Sequence, residues 1–351
     1  MRGNKVSAPE LYVTNFNKNF TGVSATAAAV TRVQVQRYNL RLVGKPLPDC
    51  PTPISKREAQ KQSLETPANR PFAIWHVRRN PEMRAAIWAR DVQRRPIKVV
   101  FTSAAQRRHS AYPRWLISKM DAVIATTEKA AEFVPNVRAV VPHGVDTDLF
   151  RPANNRIEAW KALGFGGTHG IATVGRVRPE KGTDRFVEAM IDYLPTDPNC
   201  HALILGKAAK EHQAFQNDLI LKFSEAGLKD RIHFLGEKPQ AEIATILRAA
   251  SLLIALPRYE GFGVTPLEAL ASGTSFIGTD VGGFRSFTFN GKFGQIVSVA
   301  PSPLEISNWL GRADKKFSDT AHKFVDQNFS AKKEAQAIGK VYDQLWMDTL
   351  S

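Results

Sequence analysis

Cysteine is scarce in this sequence of 351 residues: it has only Cys50 and Cys200, which are far apart and have no metal-ligand spacing. The scarcity excludes a disulfide-stapled scaffold and predicts free thiols in a reducing compartment. Long apolar runs are also missing, since the longest near a predicted strand is residues 252–256, while a membrane-spanning helix needs ~20. The first 30 residues lack the apolar core of a signal peptide. We therefore expect a cytoplasmic protein.

Acidic residues are scarce in the first half only. Residues 1–150 hold 24 Lys and Arg against 11 Asp and Glu, whereas the remainder is nearly balanced at 24 against 22. Within residues 70–119 there are 12 basic residues, and the only acidic ones are Glu82 and Asp91. A bias confined to one half favours a negatively charged partner, either nucleic acid, an anionic membrane surface or an acidic substrate. A solvated basic face is the alternative.

Short apolar runs alternate with segments of helical period, which indicates an α/β protein with parallel sheets covered by helices on both faces. Residues 145–158, which contain Pro152, Asn154 and Asn155 and directly follow Pro142 and Gly144, predict a joint between two domains, 1–150 and 151–330. Residues 331–351 would form a terminal amphipathic helix, since apolar residues recur at helical spacing over 335–346. The predicted strands are residues 72–76, 97–101, 122–125, 171–174, 202–205, 231–235, 252–255 and 275–278.

A carboxylate motif, Pro257-Arg-Tyr-Glu-Gly-Phe-Gly-Val-Thr-Pro-Leu-Glu268, follows one of these strands. Gly261 and Gly263 leave backbone N–H groups open to a ligand, and Thr265 would cap a helix that opens on Pro266. A glycine-rich loop before a helix suits a diphosphate. Glu268 also fits a capping box with Thr265, which is a purely structural explanation. Glu260 has no such structural role, and we expect it to bind a polyhydroxyl ligand.

A basic motif, Val174-Gly-Arg-Val-Arg-Pro-Glu-Lys-Gly-Thr-Asp184, follows another strand. Arg176 and Lys181 flank a turn at Pro179 and Gly182, where two cations could neutralise a diphosphate. Surface cations at a turn are the alternative. Asp146-Thr-Asp148 is the one Asp-x-Asp segment, and we interpret it as part of the interdomain joint rather than as a metal motif.

The two motifs together resemble the signature of retaining glycosyltransferase family 4, which has the GT-B fold of two Rossmann-like domains facing a cleft. The resemblance implies that Glu260 contacts the donor sugar, Glu268 the nucleotide ribose, and Arg176 and Lys181 the leaving diphosphate. It also implies a terminal helix that packs back on the first domain, and no metal requirement. Further expected donor-site residues are Gly22, His109, Gly261, Phe262, Gly263, Val264 and Thr265.

Segments 75–83, 101–107, 120–125 and 141–146 extend the resemblance to the bacterial lipopolysaccharide-core mannosyltransferases. This implies GDP-mannose as donor, an anionic Kdo–lipid A acceptor and peripheral contact with the cytoplasmic face of the inner membrane. Arg78, Arg79, Arg107 and Arg108 are candidates for acceptor contacts. A UDP- or ADP-sugar donor remains an alternative. A nucleic-acid-binding protein is a weaker one, because the sequence has no recognisable binding module.

Overall fold

The computed structural model describes residues 8–310 and 318–348. The chain divides into two compact units. The first unit comprises Met1–Gly144 and Ser330–Ser351, and the second comprises Val145–Phe329. The functional roles that the sequence suggests for two domains stay predictions.

Strands and helices alternate along most of the chain. The strands are β1 (Leu11–Asn15), β2 (Leu40–Gly44), β3 (Ala73–Val77), β4 (Ile97–Ser103), β5 (Ala122–Ala125), β6 (Val137–Val140), β7 (His169–Val174), β8 (Cys200–Leu205), β9 (Ile232–Gly236), β10 (Leu252–Ala255), β11 (Ser275–Thr279) and β12 (Gly294–Val297). The helices are α1 (Gly22–Gln34), α2 (Lys56–Gln62), α3 (Asn80–Ile87), α4 (Ala111–Ser118), α5 (Glu128–Ala131), α6 (Arg156–Leu163), α7 (Thr183–Tyr193), α8 (Gln213–Glu225), α9 (Gln240–Ala249), α10 (Thr265–Ala271), α11 (Phe284–Phe287), α12 (Pro303–Leu310), α13 (Ser318–Phe329) and α14 (Ala331–Met347). Among the described helices, none combines the length and apolar composition that a membrane span requires.

Each unit is built on a six-stranded sheet whose strands pair in parallel. The first sheet has the order β2-β1-β3-β4-β5-β6, and the second has the order β12-β11-β10-β7-β8-β9. Apolar clusters lie on both faces of each sheet, as parallel strands require. The predicted α/β class and parallel sheets are confirmed.

All eight predicted strands are present, displaced by no more than two residues at either end. Four further strands, β1, β2, β6 and β12, are not among those predicted from apolar runs. Three of them lie at sheet edges, where one side needs no partner strand and polar residues such as Arg41 or Arg138 are tolerated. The interior strand β1 ends in Thr14 and Asn15, whose buried polar side chains weaken its apolar pattern.

The terminal helix α14 packs back on the first unit, as expected. Its residues Ile338, Val341, Tyr342 and Trp346 share an apolar cluster with residues of β1, β3 and β5. The Trp346 indole also donates a hydrogen bond of 3.0 Å to the carbonyl of Phe72. Residues 349–351 of the predicted helical segment lie outside the described part of the chain.

We expect Trp346→Ala to lower the free energy of unfolding of the first unit by about 3–5 kcal/mol, because it leaves a cavity and an unpaired carbonyl. Urea denaturation measures the change. Met347→Ala is the matched control on the same helix: Met347 is exposed, so the expected change is within about 0.5 kcal/mol. Equal effects of the two substitutions would contradict the packing described for α14.

Candidate active site

The two sequence motifs leave the second sheet from neighbouring strands. Parallel pairing places β10 beside β7, with Leu252 opposite Ile171 and Leu253 opposite Ala172. The chain builds β8 and β9 on one side of β7, and β10 to β12 on the other. Ligands of open α/β sheets bind at such a reversal of strand order, at the carboxyl ends of the strands. The basic motif follows β7 and the carboxylate motif follows β10 at this point.

A glycine that admits no side chain places Lys181 in the loop after β7. Lys181 ends a short 3-10 turn, Pro179–Lys181, and Gly182 follows with φ +72° before α7 begins. A Cβ on Gly182 would lie 1.9 Å from the carbonyl oxygen of Leu256, at the end of the neighbouring strand. The close approach of the two loops therefore depends on glycine at this position.

The structure brings Lys181 and Glu260 together although 79 positions separate them. Lys181 Nζ lies 2.5 Å from Glu260 Oε2, and the backbone N–H of Gly261 donates to Glu260 Oε1 over 3.0 Å. Gly263, at φ +83°, lets the loop turn against Phe284, whose ring lies 2.1 Å from where a Cβ would be. Both charged side chains are partly exposed, so a ligand can reach them.

Arg258 and Asp184 join the same two loops, a role that the sequence motifs did not indicate. The Arg258 guanidinium donates to both carboxylate oxygens of Asp184, over 3.0 and 2.6 Å, and to the carbonyl of Pro179. The Arg258 amide donates to the carbonyl of Glu180 over 2.9 Å. A bidentate pair of this kind fixes geometry as well as charge. Their positions beside Glu260 and Lys181 in the motifs were the available signal.

The remaining predicted donor-site residues of the second unit differ in what they offer a ligand. Arg176 is exposed and makes no ion pair with any described residue. Phe262 is buried, and its ring centroid lies 5.2 Å from that of Phe287. A ligand could therefore contact its backbone but not its ring. Val264 and Thr265 are half-buried at the start of α10.

The predicted capping box at Thr265 and Glu268 is wrong. Val264 already has helical backbone angles and is the N-cap, so Thr265 is the first helical residue and its side chain makes no cap bond. Glu268 therefore falls one position beyond the place from which a capping-box Glu reaches back. No described residue bonds to its carboxylate, and desolvation raises its pKa to about 7. A half-buried carboxylate without a structural partner is available to a ligand.

Gly22 and His109 belong to the first unit. Gly22 begins α1, and a Cβ there would meet nothing within 4 Å. His109 lies in the loop between β4 and α4, and its buried Nε2 has no hydrogen-bond partner among the described residues. Burial and the neighbouring Arg107 lower its pKa. His76, by contrast, is fully enclosed between Tyr342 and Thr102 and is a packing residue.

A buried carboxylate, Glu82, accepts hydrogen bonds at the carboxyl ends of β1 and β3. The sequence motifs did not indicate this role. Glu82 accepts from Thr14 Oγ1 and from the amides of Phe16 and Arg78, over 2.8–3.1 Å. Arg79 pairs with Glu82 at 3.2 Å and also donates to Asn15, Thr21 and Ser24. Because these donors are committed within the chain, Arg79 is no longer an acceptor-contact candidate.

The chain is similar to known glycosyl transferases. Residues 157–309 match the model of the family Glycosyl transferases group 1. The chain is 38% identical over 350 residues to the lipopolysaccharide core biosynthesis mannosyltransferase LpcC of Rhizobium leguminosarum bv. viciae, covering 97% of this chain and 98% of the relative. It is 37% identical over 357 residues to the mannosyltransferase LpsB of Rhizobium meliloti (strain 1021), covering 96% and 97%.

A solved structure of Anabaena Alr3699/HepE in complex with UDP and glucose superposes with a TM-score of 0.79 at 14% identity. It covers 95% of this chain and 99% of that one, and shows the fold alone. Two parallel α/β sheets of this kind define a protein of the GT-B class. The chain belongs to the group 1 glycosyl transferases, with full-length relatives among the lipopolysaccharide core mannosyltransferases. It is a glycosyltransferase.

The raised pKa of Glu268 predicts a pH-dependent stability. The ordinary value is 4.5 and the folded value about 7, so the folded chain holds this proton more tightly than the unfolded chain. The contribution of this proton to the free energy of unfolding is therefore fully present below pH ~4.5 and is lost as the pH rises through about 7. We expect Glu268→Gln to abolish about 2 kcal/mol of the stability difference between pH 5 and pH 8, measured by urea denaturation without ligand. An unchanged pH dependence would contradict the assignment.

Proposed function

We propose that this glycosyltransferase moves mannose from GDP-mannose to an anionic lipopolysaccharide inner-core acceptor, with retention at the anomeric carbon. The observation that carries the proposal is the Lys181–Glu260 pair at the junction of β7 and β10. The names of the full-length relatives supply the sugar and the pathway.

The chemistry divides between charge on the phosphate and hydrogen bonds on the sugar. When the bond between the anomeric carbon and the diphosphate breaks, negative charge grows on the departing phosphate. Lys181 and Arg176 would stabilise it as fixed cations, without a bound metal ion in this proposal. Glu260 would accept hydrogen bonds from mannose hydroxyls, and Glu268 from the ribose.

The acceptor hydroxyl attacks from the face that the diphosphate leaves. A carbon–oxygen bond forms to the acceptor as the carbon–oxygen bond to the phosphate breaks, and a phosphate oxygen takes the hydroxyl proton. This step requires no side chain as general base. It requires a fixed diphosphate, because the oxygen that leaves must also receive the proton. The Arg258–Asp184 pair would help to fix the diphosphate, because it joins the loop that carries Lys181 to the loop that carries Glu260.

Arg78 is the strongest candidate for binding an acidic group of the acceptor. It follows β3 directly, and its buried Nη1 has no hydrogen-bond partner among the described residues. Burial lowers its pKa, although the charges of Tyr342, Glu82 and Glu334 oppose the shift. A buried guanidinium that makes no ion pair within 4 Å among the described residues would gain most from an incoming carboxylate or phosphate.

The proposal is tested by transfer of labelled mannose from GDP-mannose to a Kdo–lipid A acceptor. We expect transfer with GDP-mannose and little with UDP- or ADP-hexoses. Glu260→Gln should lower kcat by about 10²–10³-fold, because a neutral amide offers the sugar hydroxyls a weaker acceptor.

Glu211→Gln, at an exposed carboxylate of the same unit, is the matched control and should leave kcat unchanged. Circular dichroism and a thermal melt establish that each variant is folded. Full activity of Glu260→Gln would overturn the site assignment. Transfer from UDP- or ADP-hexose alone would overturn the donor.

We also propose that a surface of the first unit binds the anionic membrane that holds the acceptor. Tyr112 and Trp115 on α4 are about half exposed, with their rings stacked at 6.2 Å. Trp88 and Val92, in the π-helical turn after α3, are similarly exposed. We call these four residues, with the exposed cations that flank them, the aromatic–basic surface. Its cations are Arg84, Arg107, Arg108, Arg114 and Lys119.

The two parts of the aromatic–basic surface are neighbours. Met83 and Ala86 of α3 share one apolar cluster with Leu116 and Ile117 of α4, so both helices turn the opposite face outward. Arg90, in the turn after α3, pairs with Asp121, just after α4, over 2.6 Å, so the two segments lie close together. Aromatic side chains among cations suit the interface of an anionic bilayer.

The double variant Trp88→Ala/Trp115→Ala should weaken binding to phosphatidylglycerol vesicles at least about tenfold, because two large apolar side chains no longer enter the interface. Vesicle co-sedimentation measures it, with phosphatidylcholine vesicles as the uncharged comparison. Leu221→Ala, at an exposed apolar residue of α8, is the control and should change nothing. Unchanged vesicle binding, or tight salt-sensitive binding to RNA or DNA instead, would contradict the proposal.

A further inference from the structure

A cluster of metal-ligating side chains lies at the other end of the second sheet, where β7 and β8 begin. His169 is the first residue of β7, Cys200 is the first residue of β8, and Asp197 lies in the turn that leads into β8. One ligand atom from each lies within 4.8 Å of the other two. We propose that His169, Asp197 and Cys200 bind a divalent transition-metal ion, with zinc as the favoured ion. The proposal is independent of the transfer reaction.

The donor atoms are close to the spacing that a tetrahedral ion requires. Bond lengths to zinc of 2.0–2.3 Å place neighbouring ligand atoms about 3.4–3.6 Å apart. His169 Nε2 and Asp197 Oδ2 are 3.0 Å apart, so they would separate slightly on binding. The Cys200 sulfur lies within 4.8 Å of both atoms and would move closer to them on binding.

Two hydroxyl groups already orient the first two ligands. Thr168 Oγ1 lies 3.1 Å from His169 Nδ1, and accepts when Nδ1 carries the proton, which leaves a lone pair on Nε2. The Tyr193 hydroxyl donates to Asp197 Oδ2 over 3.0 Å. Outer contacts of this kind accompany metal ligands in proteins.

Arg231 fixes the backbone that carries Asp197 and Cys200. Its guanidinium donates to the carbonyls of Cys200, over 2.6 Å, of Leu194, over 2.9 Å, and of Asp197. The turn from Asp197 to Cys200 is therefore held in one conformation. A thiolate and a carboxylate together balance the charge of a divalent ion.

The choice of ion follows from the donor set and from access. Imidazole nitrogen, thiolate sulfur and carboxylate oxygen are the three donor types that zinc accepts in proteins. Cys200 is buried, but the His169 and Asp197 side chains are about one fifth exposed. A groove of about 420 Å³ passes His169 and Thr168 and would admit the ion. Three protein ligands leave a fourth position for water.

The test is a titration of the metal-free full-length chain with Co²⁺, followed by displacement with Zn²⁺. We expect one Co²⁺ per chain, with visible absorption of a tetrahedral complex and a sulfur-to-cobalt charge-transfer band. Cys200→Ser should remove that band and weaken binding at least about tenfold. The chain supplies its own control: Cys50→Ser, at the other cysteine, should change neither the band nor the affinity.

Two more measurements separate a metal site from an ordinary ion pair. Thr168→Val should weaken Zn²⁺ about tenfold or more by freeing the His169 ring, without changing stoichiometry. Excess Zn²⁺ should raise the thermal midpoint of the wild type but not that of His169→Ala. The proposal is overturned if Co²⁺ binds without sulfur ligation, if Cys50→Ser has the effect expected of Cys200→Ser, or if no stoichiometric binding occurs.

Discussion

The parallel pairing of β7 with β10 is the constraint on which the proposed donor site depends. It puts the carboxyl ends of two strands side by side although about 80 residues separate them in the sequence. Without that pairing, the loops that carry Lys181 and Glu260 would not be adjacent, and Arg258 would not reach Asp184. The glycine at 182 follows from the same constraint, because the two loops approach more closely than a side chain allows.

The proposed donor site contains oppositely charged side chains that pair with each other and that a ligand would separate. Lys181 and Glu260 are paired at 2.5 Å, and each is the group we assign to a different part of the donor. A nucleotide sugar offers phosphates to the lysine and hydroxyls to the glutamate, so it can replace one contact with two. Glu268 adds a carboxylate whose burial without a partner is unfavourable until a hydroxyl donates to it.

Apolar patterning and motif spacing predicted the α/β class, the eight strongest strands, the terminal helix and the two ligand loops. These patterns failed where contacts with residues distant in the sequence determine the local structure. The strand β1 carries a buried Thr14 that is stable only because Glu82 and the carbonyl of His76 lie beside it. The capping box at Glu268 failed because the loop reaches helical angles one residue early, at Val264. Arg79, a candidate for an external anion, donates instead to Thr21 and Ser24 at the start of α1.

The sequence by itself determined the reaction class, because the carboxylate and basic motifs are local patterns whose residue types and spacing carry the chemistry. It also determined the charge asymmetry, which is a matter of composition. Only the tertiary structure decided which side chains meet. It paired Lys181 with Glu260 and Arg258 with Asp184, which joins the two loops. It also brought His169, Asp197 and Cys200 together at the end of the sheet where β7 and β8 begin. Such contacts arise from strand order and pairing, which local sequence does not encode.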